Sequence, residues 1–215
     1  MEASRESTYK QTFAKLGWVL IASQVLMMAV VWAGEELYIR WLIARDPMIG
    51  AVELMHKLQD SGVWLIVGAL AGLTPCLALK LTEHPKQLPA FFGKKNQRIG
   101  GTIMVFCFLL VMGLQNIASL LTIPVEVTAN LLGGSFYSAH ASATAASQTV
   151  SMLLYSVLIA PFCEELTYRG FVLEYLKPYG NTFAILFAAV IFGLMHGNII
   201  QLPMALLCGV LFGYI

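Results

Sequence analysis

Charged residues are scarce along this chain. Only 12% of its 215 residues are Asp, Glu, Lys or Arg, whereas typical soluble domains have about a quarter. Hydrophobic residues make up 58% of the chain, and the mean hydropathy is +0.74. This composition excludes a soluble globular domain. It predicts an all-α, polytopic transmembrane helical bundle with about six spans.

Cysteine motifs, a strong net charge and a cleavable leader are also lacking. The net charge of +1 argues against nucleic acid as a partner. The first apolar run is long and has no small-residue cleavage site, so it does not resemble a signal peptide. The cysteines form no Cys-x-x-Cys pair and lie in apolar runs, which predicts small buried residues rather than disulfides or a zinc knuckle. They are Cys76, Cys107, Cys163 and Cys208.

The apolar runs divide the chain into two regions. Residues 1–98 are interpreted as an N-terminal two-span region with an interfacial helix within 35–60 and a basic cytoplasmic loop at 80–98. Residues 99–215 are interpreted as the functional core, because they hold the remaining spans and the polar motifs described below. The predicted spans are 16–34, 61–79, 99–121, 148–176, 182–198 and 199–215.

Basic residues predict the orientation in the membrane. They are concentrated in 1–15 and 80–98 and at Lys177, whereas the loop predicted at 122–147 has neither Lys nor Arg. Because basic loops stay in the cytoplasm, the N-terminus is predicted to be cytoplasmic. We therefore expect a multi-pass protein of the cell membrane, in contact with lipid.

Ionisable residues cluster in one stretch of the core. Half of the charged residues in 99–215 are Glu164, Glu165 and Arg169. His196 follows near the end of the next apolar run. Ionisable groups at membrane depth are costly and are therefore functional candidates.

Glu164 and His196 are predicted to lie at the same depth. Glu164 precedes Leu176 by 12 residues and His196 follows Thr182 by 14 residues. In two helices that turn back on each other near Pro178, these separations amount to about 18 Å and about 21 Å. A carboxylate and a neutral imidazole at one depth can hold either a water molecule or a divalent metal such as zinc.

Arg169 is predicted to support this pair. Glu165 and Arg169 are spaced i,i+4 and share a helix face. Arg169 would neutralise Glu165 and leave Glu164 free for chemistry. Removing one partner of such a buried pair costs about 3–5 kcal/mol.

Neighbouring polar side chains are candidates for substrate contact. Asn198 and Gln201 follow His196 and would either bind the backbone of a peptide or form hydrogen bonds within their own loop. Tyr168 lies i,i+4 from Glu164 and would either line the cavity or pack at the interface.

A second copy of the acidic motif has a different setting. Glu35, Glu36 and Arg40 repeat the spacing of Glu164, Glu165 and Arg169 but stand among other charged residues, with no Phe-x-x-x-His after them. This copy is interpreted as a solvated helix end.

The motifs resemble those of a known family. Glu-Glu-x-x-x-Arg followed by Gly170, and Phe-x-x-x-His at Phe192 and His196, are similar to the CAAX-protease and bacteriocin-processing (CPBP, or Abi) family of intramembrane proteases. The resemblance covers roughly residues 99–215. It implies peptide-bond hydrolysis in which Glu164 activates water and His196 binds that water or a metal ion.

One family motif is missing from the chain. A later His-x-x-x-Asn or His-x-x-x-Asp would fall beyond Ile215. Either the chain is truncated in the C-terminal part of its catalytic core, which is the expectation that we favour, or the site is incomplete.

Three functions remain open on the sequence alone. The first is an intramembrane endopeptidase, metallo- or glutamic, acting on a membrane-associated CAAX-type, leader, bacteriocin or signalling peptide in a bacterium. The second is a non-catalytic membrane scaffold or bacteriocin immunity protein of the same fold. A small transporter is the third, although the inverted repeat expected of one is absent.

Overall fold

The structure is a computed structural model that describes residues 2–83, 101–136 and 149–214. Within these ranges every regular element is a helix, which confirms the all-α prediction. The helices are α1 (Glu2–Arg45), α2 (Ala51–Gln59), α3 (Val63–Glu83), α4 (Gly101–Leu131), α5 (Val150–Tyr179), α6 (Asn181–Met195) and α7 (Leu202–Tyr214).

Four of the described helices are long and apolar enough to cross a membrane, which takes about 20 residues. These four helices are α1, α3, α4 and α5. Helices α6 and α7 are apolar but have only 15 and 13 residues. The fifth and sixth predicted spans are therefore present as helices, and each is shorter than a full crossing.

Two helices extend beyond the spans that hydropathy predicts. Helix α1 continues to Arg45, through the first part of the region expected to be a polar connection at 35–60. Helix α4 continues to Leu131, ten residues past the expected end at 121. Both extensions are α-helical although they contain polar residues, and the second also includes Pro124, which donates no backbone hydrogen bond. The expected loop from 122 is therefore helical at its start.

Other sequence expectations can be placed as well. Glu36 and Arg40 form an exposed i,i+4 ion pair of 2.9 Å five residues before the end of α1, and the solvated interpretation of the second motif copy stays a prediction. Cys76 and Cys163 are buried as expected, whereas Cys107 and Cys208 are partly exposed. His84, His140 and the basic loop at 84–98 lie outside the described residues.

The chain forms two compact units. The first consists of Met1–Phe92 with Ser147–Thr167, and the second of Gly93–Ala146 with Tyr168–Ile215. The boundary falls inside α5, between Thr167 and Tyr168.

Small residues allow α1 and α3 to pack closely in the first unit. A Cβ atom added to Gly72 would lie 3.0 Å from the Met27 Cβ and 3.1 Å from the Ser23 carbonyl oxygen. Gly68 lies one turn before it, completing a Gly-x-x-x-Gly pattern. Such patterns bring two membrane helices close enough for extensive van der Waals contact, which replaces the hydrophobic effect in lipid.

The start of α5 is fixed in the same unit by side-chain capping. The Thr149 hydroxyl accepts a hydrogen bond from the Met152 amide at 3.3 Å and donates to the Asp60 carbonyl. The Ser151 hydroxyl accepts from the Gly62 amide at 3.2 Å. These contacts satisfy helix-terminal groups that lipid could not.

Helix α5 alternates between two hydrogen-bonding patterns. It is α-helical over Val150–Leu154 and Ala160–Glu164 but π-helical over Tyr155–Ile159 and Glu165–Leu173. Pro161 accounts for the first π segment, because its ring clashes with the carbonyl four residues earlier and its nitrogen donates no hydrogen bond. The helix closes with an α turn at Glu174–Leu176 and a 3₁₀ turn at Lys177–Tyr179.

Helices α6 and α7 form an antiparallel hairpin in the second unit. Gly209 faces Ala189, and Gly213, further along α7, faces Ile185, earlier in α6. A Cβ atom added to Gly209 would lie 2.8 Å from the Ala189 Cα, so the two backbones nearly touch. Helix α4 packs against α7 in the same unit.

Candidate functional site

Glu164 and Glu165 lie where α5 changes its hydrogen-bonding pattern in the first unit. Glu164 is the last residue of the α-helical segment and is half-buried. Glu165 begins the second π segment and is exposed. Segments of π-helix are rare and are found frequently at functional sites. The two carboxylates therefore flank a change from α-helix to π-helix, a feature that favours a functional role for them.

Arg169 is held by three groups of the second unit. Its Nη2 atom donates a hydrogen bond of 3.3 Å to the Cys208 carbonyl oxygen. Its guanidinium lies 4.6 Å from the centre of the Phe192 ring and 5.6 Å from that of Phe212. Both distances suit cation–π attraction, which is worth about 2 kcal/mol or more where water is excluded. Arg169 therefore ties α5 to α6 and α7.

His196 caps the C-terminus of α6. The helix ends at Met195, and Gly197 has a φ of +60°, the left-handed conformation that suits glycine after a helix. The imidazole is half-buried and meets the Phe192 ring edge-on at 4.9 Å between ring centres. The Phe-x-x-x-His spacing therefore has a local reason, since the phenylalanine packs against the histidine one turn later.

One hydrogen bond defines the tautomer of neutral His196. Its Nδ1 atom lies 2.9 Å from the Phe192 carbonyl oxygen. A carbonyl oxygen can only accept, so Nδ1 must carry the proton in this bond. In the neutral ring Nε2 then has a free lone pair. Such a nitrogen can accept a hydrogen bond from water or act as a metal ligand.

The two candidates for substrate contact are both engaged by neighbouring groups. Tyr168 is only 5% exposed, and its ring packs against Phe192 at 5.0 Å between ring centres. The Asn198 side-chain oxygen accepts a hydrogen bond of 2.9 Å from the Ile200 amide, within the turn before α7. These contacts fit the packing interpretation of Tyr168 and the loop interpretation of Asn198.

A cavity of about 650 Å³ lies in the second unit, between α4, the end of α6, and α7 with the turn before it. This volume is within the usual range of ligand pockets, about 300–1,000 Å³. Both polar and apolar residues line it. They are Gln115, Ala118, Ser119, Thr122, Ile123, Glu126, Phe192, His196, Ile200, Gln201, Met204, Ala205 and Cys208.

Helix α4 contributes a polar face to this cavity that sequence reasoning missed. Gln115, Ser119, Thr122 and Glu126 recur at helical spacing and all line the cavity. Glu126 is the only charged residue of α4 and is half-buried. The signal was available in the sequence, because an isolated acid on a long apolar helix is costly. It was overlooked since the hydropathic run ends before Glu126.

The predicted pairings join the two units. Glu164 and Glu165 belong to the first unit, whereas Arg169 and His196 belong to the second. The pairing of Glu164 with His196 and that of Glu165 with Arg169 therefore stay predictions.

A metal site also stays a prediction. In the part of the chain that the structure describes, no group of three or more His, Cys, Asp or Glu side chains is arranged to hold a metal ion. A catalytic zinc ion usually takes three protein ligands. Glu164 and His196 alone would not complete such a set.

One comparison with known proteins gives a match. Residues 146–215 match the family model described as Type II CAAX prenyl endopeptidase Rce1-like. The matched segment contains Glu164, Glu165, Arg169 and His196 but not Glu126. It is consistent with the CPBP family that the motifs resemble. No curated protein and no solved structure matches the chain.

Proposed function

Since residues 146–215 carry an Rce1-like domain of the type II CAAX prenyl endopeptidase kind, we propose that the protein is an intramembrane endopeptidase. The observation that carries this proposal is the setting of His196. Its Nδ1 proton is held by the Phe192 carbonyl, and its side chain lines a cavity large enough for several residues of a peptide. The neutral imidazole therefore offers Nε2 as an acceptor beside a space where substrate and water can meet.

The proposed chemistry is attack of water on a peptide carbonyl. Glu164 takes a proton from the water as its oxygen bonds to the carbonyl carbon. His196 Nε2 accepts a hydrogen bond from the same water and orients it. The carbon–nitrogen bond then breaks, and the proton held by Glu164 passes to the departing amine. General-base catalysis of this kind contributes about 10²–10⁴ in rate.

Arg169 supports this chemistry from a distance. Its contacts with Phe192 and the Cys208 carbonyl fix the helix that carries His196. We propose that Arg169 also neutralises Glu165, so that Glu164 alone acts as the base. Asn198 and Tyr168 would then shape the surroundings of the substrate.

The proposed substrate is a peptide presented from the membrane. A peptide that ends in a prenylated cysteine and three apolar residues is the first class to test, because the matched family is described as a prenyl endopeptidase. Leader, bacteriocin and signalling peptides are the alternative class. We place the protein in the cell membrane with a cytoplasmic N-terminus, following the distribution of its basic residues.

The decisive experiment replaces the proposed base. Purified protein in liposomes is incubated with a peptide ending in S-farnesylcysteine and three apolar residues, and the released tripeptide is measured by mass spectrometry. We expect Glu164→Gln to slow release by about 100-fold or more, because glutamine keeps the shape of the side chain but cannot take a proton. An unprenylated copy of the peptide tests whether the lipid is required.

The second motif copy supplies a matched control. Glu35→Gln makes the same chemical change in the same sequence pattern at what the sequence predicts to be a solvated helix end, and we expect this variant to cleave like the unaltered protein. Equal release by the Glu164→Gln and unaltered proteins would overturn the proposed mechanism. Binding of the peptide without cleavage by the unaltered protein would instead favour the non-catalytic scaffold or immunity role.

The same assay addresses the metal ion. Inhibition by 1,10-phenanthroline that added zinc reverses would identify a metal-dependent enzyme, in which the ion polarises the carbonyl and lowers the pKa of bound water. Unchanged release would identify Glu164 as the base without a metal.

A further inference from the structure

Two glutamines line the cavity in the second unit, Gln115 of α4 and Gln201 of the turn before α7. His196 lines the same cavity. The proposed chemistry uses His196 but gives neither glutamine a role. Because side-chain amides are common ligand-binding groups in pockets, we ask what these two can bind.

The main chain of Gln201, rather than its side chain, stabilises the turn before α7. The Gln201 amide donates to the Asn198 carbonyl oxygen at 3.1 Å, and the Gln201 carbonyl oxygen accepts from the Ala205 amide at 2.9 Å. Within this turn the Asn198 side-chain oxygen accepts from the Ile200 amide at 2.9 Å. The sequence left a loop role open for both residues, and in the structure the side chain of Asn198 takes it.

The side chain of Gln115 is not used by its own helix either. The main-chain carbonyl oxygen of Gln115 accepts from the Ser119 hydroxyl at 2.9 Å. Within residues 2–83, 101–136 and 149–214, no hydrogen bond joins the side-chain amide of Gln115 or of Gln201 to another residue. Each amide therefore has two N–H donors and an acceptor oxygen for a ligand in the cavity.

A primary amide matches the main chain of an extended peptide. The N–H and C=O groups of one residue in an extended chain point to the same side, so one amide can accept from the N–H and donate to the C=O. Hydrogen bonds to the main chain of an extended peptide give affinity whatever its side chains are. An uncharged amide also costs much less to desolvate than an ion does.

We propose that Gln201 and Gln115 bind the main chain of an extended peptide substrate in the cavity that His196 lines. This inference rests on the proposed function, because it takes the ligand to be a peptide. It assigns two substrate-binding residues and predicts that the substrate is recognised through its backbone amides.

The test removes one peptide N–H at a time and measures binding. A fluorescent ten-residue peptide ends in S-farnesylcysteine and three apolar residues, and a matched set has an ester in place of each peptide bond in turn. An ester keeps the shape of the chain but has no N–H to donate. The receptor is the Glu164→Gln protein in liposomes, so that bound peptide is not consumed.

We expect esters at two positions to weaken binding, each by about tenfold, because hydrogen bonds to the glutamines are lost. Adding Gln201→Met should remove this penalty at one of the two positions, and adding Gln115→Met should remove it at the other. Methionine is close to glutamine in length but has no N–H and only a weak acceptor.

Gln59→Met is the matched control. Gln59 is exposed at the end of α2 in the first unit and is not among the lining residues. We expect this variant to keep both ester penalties.

Three results would overturn the proposal. They are the absence of any ester penalty, penalties that persist in both cavity variants, and an equal loss of affinity for all the peptides in Gln201→Met, which would indicate a structural role. Gln115 lies on another helix, so Gln115→Met alone decides the question if Gln201→Met fails to fold, and an unchanged set of penalties in it counts against the proposal.

Cleavage by the protein without Glu164→Gln separates this inference from the proposed function. Ester penalties that depend on the glutamines, without any cleavage, would support the backbone-binding cavity and overturn the endopeptidase. Cleavage without such penalties would do the reverse.

Discussion

Phe192 contacts three side chains of the candidate site at once. Its ring centre lies 5.0 Å from that of Tyr168, 4.6 Å from the Arg169 guanidinium carbon and 4.9 Å from the centre of the His196 ring. We expect Phe192→Leu to lower the free energy of unfolding by about 1–3 kcal/mol, because it removes aromatic and cation–π contacts and leaves a gap. Cleavage should fall with it, since His196 loses its edge-on contact.

Phe183→Leu is the control for this prediction. Phe183 lies on the same helix, is 42% exposed and stacks on Phe187 at 5.5 Å. We expect it to change stability by less than about 1 kcal/mol. The measurements are thermal unfolding in detergent and peptide release in liposomes. If the two substitutions had equal effects, Phe192 would not be organising the site.

The residues of the site were predictable to different degrees. Glu164, Glu165, Arg169 and His196 stand out in the sequence because they are ionisable groups in apolar runs. The hydrogen bond that sets the tautomer of His196 was not predictable, since it depends on how the helix ends at Gly197. Glu126 was missed because hydropathy shows where the apolar residues end, at about residue 121. The helix itself continues to Leu131 and therefore includes Glu126.

Gly209 sets how closely α6 and α7 approach. A side chain there would meet the Ala189 backbone at 2.8 Å, and backbone atoms cannot move aside as the end of a side chain can. We expect Gly209→Val to destabilise the protein by about 1–3 kcal/mol through overpacking. The cavity should change shape with the hairpin, so peptide binding should weaken by at least tenfold.

Gly113→Val is the matched change on α4. No atom lies within 4 Å of a Cβ added to Gly113, so valine meets only the helix surface there. We expect unfolding temperature and peptide affinity close to those of the unaltered protein. Similar losses for both variants would mean that valine harms these helices through propensity alone, not through the α6–α7 contact.

Helix existence was easier to predict than helix ends and helix type. Each of the six predicted apolar spans contains a helix, because lipid leaves backbone groups no other partner. The extensions to Arg45 and Leu131 were not predicted, since polar residues in a helix look like loop in a hydropathy profile. Pro161 explains the π segment at Tyr155–Ile159, but no residue of the sequence predicts the π segment at Glu165–Leu173.

The acidic motif spans two compact units of the molecule. Glu164 and Glu165 belong to the unit built on α1 and α3, and Arg169 and His196 to the unit built on α4, α6 and α7. A local motif can therefore connect separately packed parts of a membrane protein. The approach of Glu164 to His196 depends on how the two units pack. The similar distances of the two residues from the Pro178 turn predict only that they lie at the same depth in the membrane.

Cross-linking tests this prediction for the whole molecule. In a background where Cys76, Cys107, Cys163 and Cys208 are replaced by alanine, the pair Glu164→Cys and His196→Cys is treated with a short bis-maleimide in native membranes. We expect a cross-linked peptide pair by mass spectrometry, because the two positions should face each other at one depth. The control pair is Glu35→Cys and His196→Cys, in which Glu35 has the position of Glu164 in the second motif copy. We expect no cross-linked peptide pair from this control. Cross-linking of both pairs, or of neither, would contradict a site assembled from Glu164 and His196.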